Sequence, residues 1–141
     1  MVKKFLIIST IVFLALSGTV SHAKSKYSDE FIAKFTYCQA YSESKYNVIY
    51  NSDDTYTIKG YVPDGTETCI YEETNSWDKG TYQTTCKFEP KQHEEYLNAM
   101  RNPDVKTSVT IKGMAFVDAN ENAVYLKYYN NPNVCTTKKI K

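Results

Sequence analysis

The sequence predicts one α+β domain: an antiparallel β-meander packed against one or more helices and stapled by two disulfides. Three observations point there. Residues 55–62, 67–73 and 80–88 read as consecutive strands joined by two turns, the first carrying Asp64-Gly65, a strong hairpin signal. Behind them, Pro90 suits the first position of a helix, and Tyr96, Leu97 and Met100 follow at helical spacing. Four cysteines, Cys38, Cys69, Cys86 and Cys135, give the even count expected of a bridged exported domain.

The chain opens on an export signature. Lys3 and Lys4 precede an apolar run from Phe5 to Ser17, and Ser21-His22-Ala23 supplies small residues for cleavage. Residues 1–23 are therefore expected to be a cleaved signal peptide, with residues 24–141 as the single mature domain. The apolar run is too short to span a bilayer, and no second one follows, so no stable membrane span is expected after cleavage. Of seventeen basic residues, losing Lys3 and Lys4 leaves fifteen against sixteen acidic ones, a formal charge of −1. That balance lacks the clustered basic excess of a nucleic-acid binder.

The elements follow in order. Ser28-Asp29-Glu30 predicts a helix start, with Phe31, Ala33, Phe35 and Cys38 near its buried side. The alternation Tyr46 to Tyr50 predicts a short strand before the polar turn 51–54. After the meander and the helix from Pro90, residues 105–117 look extended, broken by Gly113. Asp118-Ala119-Asn120-Glu121 has capping-box spacing and predicts a helix to Tyr129, stopped by Asn130-Asn131-Pro132. The alternative is the second arm of a hairpin turning at Asn120. Lys138 to Lys141 are expected free in solvent.

Centring each hairpin on its turn sets a register. Cys69 then falls opposite Gly60 and Cys86, and Tyr71 opposite Ile58 and Thr84. One face collects Tyr56, Ile58, Cys69, Tyr71, Tyr82, Cys86 and Phe88. Of the three possible pairings this selects Cys69–Cys86, which leaves Cys38–Cys135. No two cysteines have zinc-type spacing, and no metal or cofactor is expected.

The order of marks is a short helix with Cys38, then Gly60, Thr68-Cys69-Ile70-Tyr71, Thr85-Cys86-Lys87-Phe88 with a following helix, and Tyr129 to Cys135. In these it resembles small exported bacterial proteins of uncharacterised function with four cysteines. The resemblance implies an exported α+β domain with two bridges, periplasmic or secreted. It brings no catalytic residues.

Candidate chemistry is sparse. Gln92-His93-Glu94-Glu95 approaches a zinc-protease helix, but the second histidine is replaced by Leu97, so His93 reads as a solvated helix-face residue. Asp118 to Asn122 matches the first ligands of a calcium loop, yet Ala123 and Tyr129 stand where glycine and a bidentate glutamate belong. Glu72 and Glu73 are strand neighbours and point to opposite faces. The mature chain holds all thirteen tyrosines, and exposed aromatics are enriched at partner and sugar surfaces. The sequence therefore reads as a non-enzymatic binding or interaction module for an envelope or extracellular protein or a glycan. The alternative is a small hydrolase using scattered carboxylates and His93. The expected binding surface is the polar sheet face, centred on Tyr61 and Ile70 and flanked by Lys59 and Lys87. A competing arrangement lays residues 109–129 over that face.

Overall fold

The computed structural model describes residues 24–141, so the export segment expected at residues 1–23 lies outside the described residues. Ser28 caps the first helix by accepting the Phe31 N–H at 3.0 Å, and α1 runs Asp29–Thr36. Next come β1 (Tyr41–Asn47), β2 (Ser52–Tyr61), β3 (Cys69–Trp77) and β4 (Gly80–Phe88), then α2 (Pro90–Arg101). A hairpin of β5 (Lys106–Ile111) and β6 (Met114–Ala119) leads into α3 (Asn120–Tyr129), and β7 (Cys135–Lys139) closes the chain. The sheet order is β1-β2-β3-β4-β7, antiparallel throughout, with β5-β6 a separate two-stranded ribbon.

The three helices among the described residues cover one face of the five-stranded sheet. Phe31 and Phe35 of α1, Tyr96 and Met100 of α2, and Val124 and Tyr128 of α3 pack with Tyr56, Ile58, Tyr71 and Phe88 in one core. The face read from the alternation is thus the buried one, with Tyr82 only half-buried at its end. The other face stays open. There, Ser42 with Thr57 and Ser44 with Thr55 hydrogen-bond across strands at 2.9 and 2.8 Å, and Lys59 pairs with Glu72 at 3.7 Å.

The disulfides differ from expectation. Cys38 joins Cys69 and Cys86 joins Cys135, with Cα separations of 5.8 and 4.1 Å. The cause lies in the β3–β4 turn. Trp77 pairs with Gly80, so the loop is only Asp78-Lys79 and the ladder slides two residues from the centred register. Cys86 consequently faces Tyr71, and Cys69 faces Phe88. A slide of two keeps every side chain on its face while changing its partner. Cys69 is left free to reach Cys38 below α1, and Cys86 bonds its own cross-strand neighbour Cys135 on β7.

Other boundaries moved for local reasons. The strand expected at residues 46–50 ends at Asn47, whose Oδ1 accepts the N–H groups of Ile49 and Tyr50 at 3.1 and 3.3 Å and turns the chain. A bulge follows Ile58: Gly60, at φ 107°, pairs with Ile70, and Tyr61 pairs with Cys69. The helix expected after Asp118 is present as α3, but Ala119 is its N-cap and makes no side-chain cap. Asp118 instead accepts the Ala119 N–H at 2.7 Å and the Asn122 amide. The tail expected in solvent is β7, an edge strand whose Lys138 and Lys139 pair with Gln83 and Tyr82.

Candidate functional site

The expected surface residues lie where a sheet face should put them, with one exception. Lys59 and Lys87 are exposed and Ile70 is half-buried, and Ile70 pairs directly with Lys87. Tyr61 is 48% exposed, but the bulge sets it across from Cys69, on the opposite side of the ladder from Ile70. Among the described residues no helix covers this face, because α3 packs into the core on the other side.

A concave site forms elsewhere, at the polar end of the helix-covered face. Each inward-facing row of the sheet changes from apolar to polar along its strand: Ile58 and Tyr56 give way to Asp54, and Tyr71 to Glu73 and Asn75. Opposite stand Glu121, Tyr125 and Tyr129 of α3 and the segment Lys24–Lys26. Between them lies a groove of about 720 Å³, within the roughly 300–1,000 Å³ range of small-ligand sites. A larger hollow of about 810 Å³ flanks the same N-terminal segment, but long exposed side chains (Lys24, Lys45 and Arg101) and the 102–105 loop form much of its wall. It gathers no comparable set of rings and carboxylates.

The floor of the groove is an ordered hydrogen-bond network. Asp54 is 3% exposed and accepts from Ser52 Oγ at 2.8 Å, Asn75 Nδ2 at 2.8 Å and Asn47 Nδ2 at 3.1 Å. The Asn75 amide reaches Glu73 Oε1 as well, at 3.2 Å, so both of its hydrogens are used and its carbonyl oxygen stays an acceptor. Glu73 Oε2 takes the Tyr71 hydroxyl at 3.0 Å and the Lys26 ammonium at 3.4 Å. Glu121 Oε1 accepts the Lys26 backbone N–H at 2.9 Å, while its buried Oε2 has no partner among the described residues.

The walls are aromatic. Trp77 stacks on Tyr82 at 5.2 Å and 26°, and Tyr125 leans on Tyr129 at 4.4 Å. Tyr50, 72% exposed, stands at the rim on the β1–β2 turn beside exposed Val48 and Ile49. The Lys26 ammonium lies 4.2 Å from the Tyr125 ring centre, 5.1 Å from Tyr27 and 5.2 Å from Tyr56, a cation–π cage closed by Glu73. Burial first, and the Glu73 carboxylate second, hold the Tyr56 and Tyr125 hydroxyls far above the ordinary tyrosine range.

His93 is not the solvated residue its helix position implied. It is 8% exposed, its Nε2 lies 2.7 Å from the Phe35 carbonyl, and its ring meets Phe35 edge-on at 4.4 Å. The α1–α2 contact buries it, and desolvation lowers its pKa below the usual value. His93 does not line the groove, so among the described residues the carboxylates there have no histidine beside them.

One signal for the groove was present in the strand alternation. Asp54, Glu73 and Asn75 share the parity of Tyr56, Ile58, Cys69 and Tyr71, which places polar side chains at core-facing positions. Lys26 and Tyr125 come from distant segments, and no spacing rule joins them to that set. The two disulfides imply an oxidising compartment, and among the described residues no helix is long and apolar enough to cross a membrane. Comparison with protein-family models, with curated proteins and with solved structures finds no match for this chain.

Proposed function

We propose that this chain is an exported, non-enzymatic binding module, periplasmic or secreted, whose groove between Trp77 and α3 holds a glycan. The observation that carries the reading is the pairing of an accessible aromatic platform, Trp77 on Tyr82, with a floor of fixed planar acceptors, Asp54 and Asn75. Flat apolar sugar faces stack on such rings, and hydroxyls rimming the sugar donate to such acceptors. Rigidity of the network favours binding, because little side-chain order has to be imposed when the ligand arrives. Asp54 and Glu73 are engaged by neighbouring donors and His93 is sealed into the core, which favours binding over hydrolysis. The polar sheet face is the weaker candidate, since its cross-strand hydroxyls satisfy one another.

The test is an NMR titration of residues 24–141 with neutral oligosaccharides, N-acetylglucosamine oligomers and glucosamine oligomers. Shifts should centre on Trp77, Tyr82 and Asn75, and Trp77→Ala should abolish them. Perturbation centred on Ile70 and Lys87 instead, or no saccharide response at all, would remove the proposal.

A further inference from the structure

Carboxylates outnumber cationic groups along the groove: Asp54, Glu73, Asp104 and Glu121 line it against Lys24 and Lys26. Asp54 is buried and held by three neutral groups, and it makes no ion pair among the described residues. Glu121 keeps one buried carboxylate oxygen without a partner. Asn75 has spent both amide hydrogens and presents only its carbonyl. Buried carboxylates are ordinarily paired, so a site with this surplus is complemented by a cation. Asp54, Glu73 and Glu121 line the same groove as the Tyr56 ring.

The same wall already receives an ammonium group. Lys26 Nζ sits against three tyrosine faces and the Glu73 carboxylate. Of these rings, Tyr56 and Tyr125 line the groove, and the negative faces of aromatic rings attract cations. Lys26 neutralises Glu73, and neither it nor Lys24, which also lines the groove, forms an ion pair with Asp54 or the free Glu121 oxygen among the described residues.

We infer that the groove selects a saccharide bearing a primary ammonium group, with the sugar face on Trp77 and the ammonium directed to Asp54 and Glu121. This inference rests on the glycan reading above and narrows it to amino sugars.

Calorimetry with residues 24–141 can separate the two. The probes are a glucosamine trimer, its fully N-acetylated counterpart and a trilysine peptide. The glucosamine trimer should bind roughly tenfold or more tighter than the acetylated one, as a charge-assisted hydrogen bond implies. That preference should shrink with added salt and disappear in Asp54→Asn, while Trp77→Ala should weaken both trimers. Should Asp54→Asn not fold, Glu121→Gln reports the same loss from a half-exposed position. Equal affinity for the two trimers overturns the ammonium preference and leaves the glycan reading standing. Binding of trilysine alone overturns both, because it shows a cation site without sugar recognition.

Discussion

The hydroxyls of Tyr27 and Tyr71 meet at 2.9 Å in the centre of the core, where neither side chain is more than 4% exposed. The contact belongs to a line of hydroxyls. Tyr96 lies 2.9 Å from Tyr27 on one side, and Tyr71 lies 3.0 Å from Glu73 on the other. A carboxylate can only accept, so Tyr71 donates to Glu73, Tyr27 to Tyr71 and Tyr96 to Tyr27. The groove carboxylate is therefore the acceptor end of a chain that starts on α2.

Removing the middle of that line should cost more than removing its start. Tyr27→Phe leaves the Tyr96 proton without an acceptor and Tyr71 without a donor, at about 1–3 kcal/mol of stability. Tyr96→Phe strands no proton and should cost about 1 kcal/mol or less. Denaturant unfolding of the two variants checks the order.

The same burial sets an alkaline limit. Burial first raises the hydroxyls of Tyr27, Tyr71 and Tyr96 well above their ordinary value in the folded chain. Their contribution is complete below the unfolded tyrosine pKa of about 10 and is lost as pH rises beyond it, because only the unfolded chain can ionise them there. Tyrosinate absorbance from these three should appear together with unfolding, not before it. Early titration of all thirteen tyrosines in a folded sample would refute this.

His93 acts at the other end of the scale. Its folded pKa is depressed, so its contribution is present above the unfolded value of about 6.5 and declines as pH falls through and below it. A His93→Phe variant should show a flatter stability profile between about pH 6.5 and pH 5 than the parent chain.

Each bridge should stabilise the fold substantially. In the chain-entropy account, loops of 31 and 49 residues are each worth about 4 kcal/mol. Replacing Cys38 and Cys69 together by alanine should lower the melting temperature by many degrees. Peptide mapping of the unreduced chain should recover Cys38 linked to Cys69; a Cys69–Cys86 peptide would contradict the β3–β4 register.

Tyr61 supplies a surface control. It is 48% exposed at the edge of the bulge, so Tyr61→Ala should change stability by no more than about 0.5 kcal/mol. Glycan binding at the groove should be unaffected by it.

What the sequence made legible follows from which signals are local. Strand β4 and the Pro90 start of α2 are where turn chemistry and proline place them, and Ser28 caps α1 as expected. The buried face of the meander was also readable, because alternation survives any slide by two. The disulfide partners were not, since they depend on whether the turn centres one residue earlier or later. Alternation says nothing on that point, and the two-residue loop Asp78-Lys79 decided it. Gly80 at φ 133° fits this tight geometry, and a Cβ there would come within 2.6 Å of the Lys141 carbonyl oxygen. Strand β7 was missed because Cys-Thr-Thr-Lys-Lys has no apolar stripe; it is held by backbone pairing and its bridge. The groove was missed because Lys26, Asp54, Glu73 and Tyr125 meet only after α3 and the N-terminal segment have docked.

The bridges join Cys38 to Cys69 and Cys86 to Cys135, which is the order in which the four thiols occur along the chain. The two loops neither overlap nor nest. A polypeptide threaded N-terminus first into an oxidising space presents each cysteine with its correct partner as the next to arrive. An oxidant that simply couples successive thiols reaches the native pattern, and no isomerase is needed to reshuffle it. The pairing expected from the centred hairpin would have been nested, with Cys38 held unpaired until the last residues emerged.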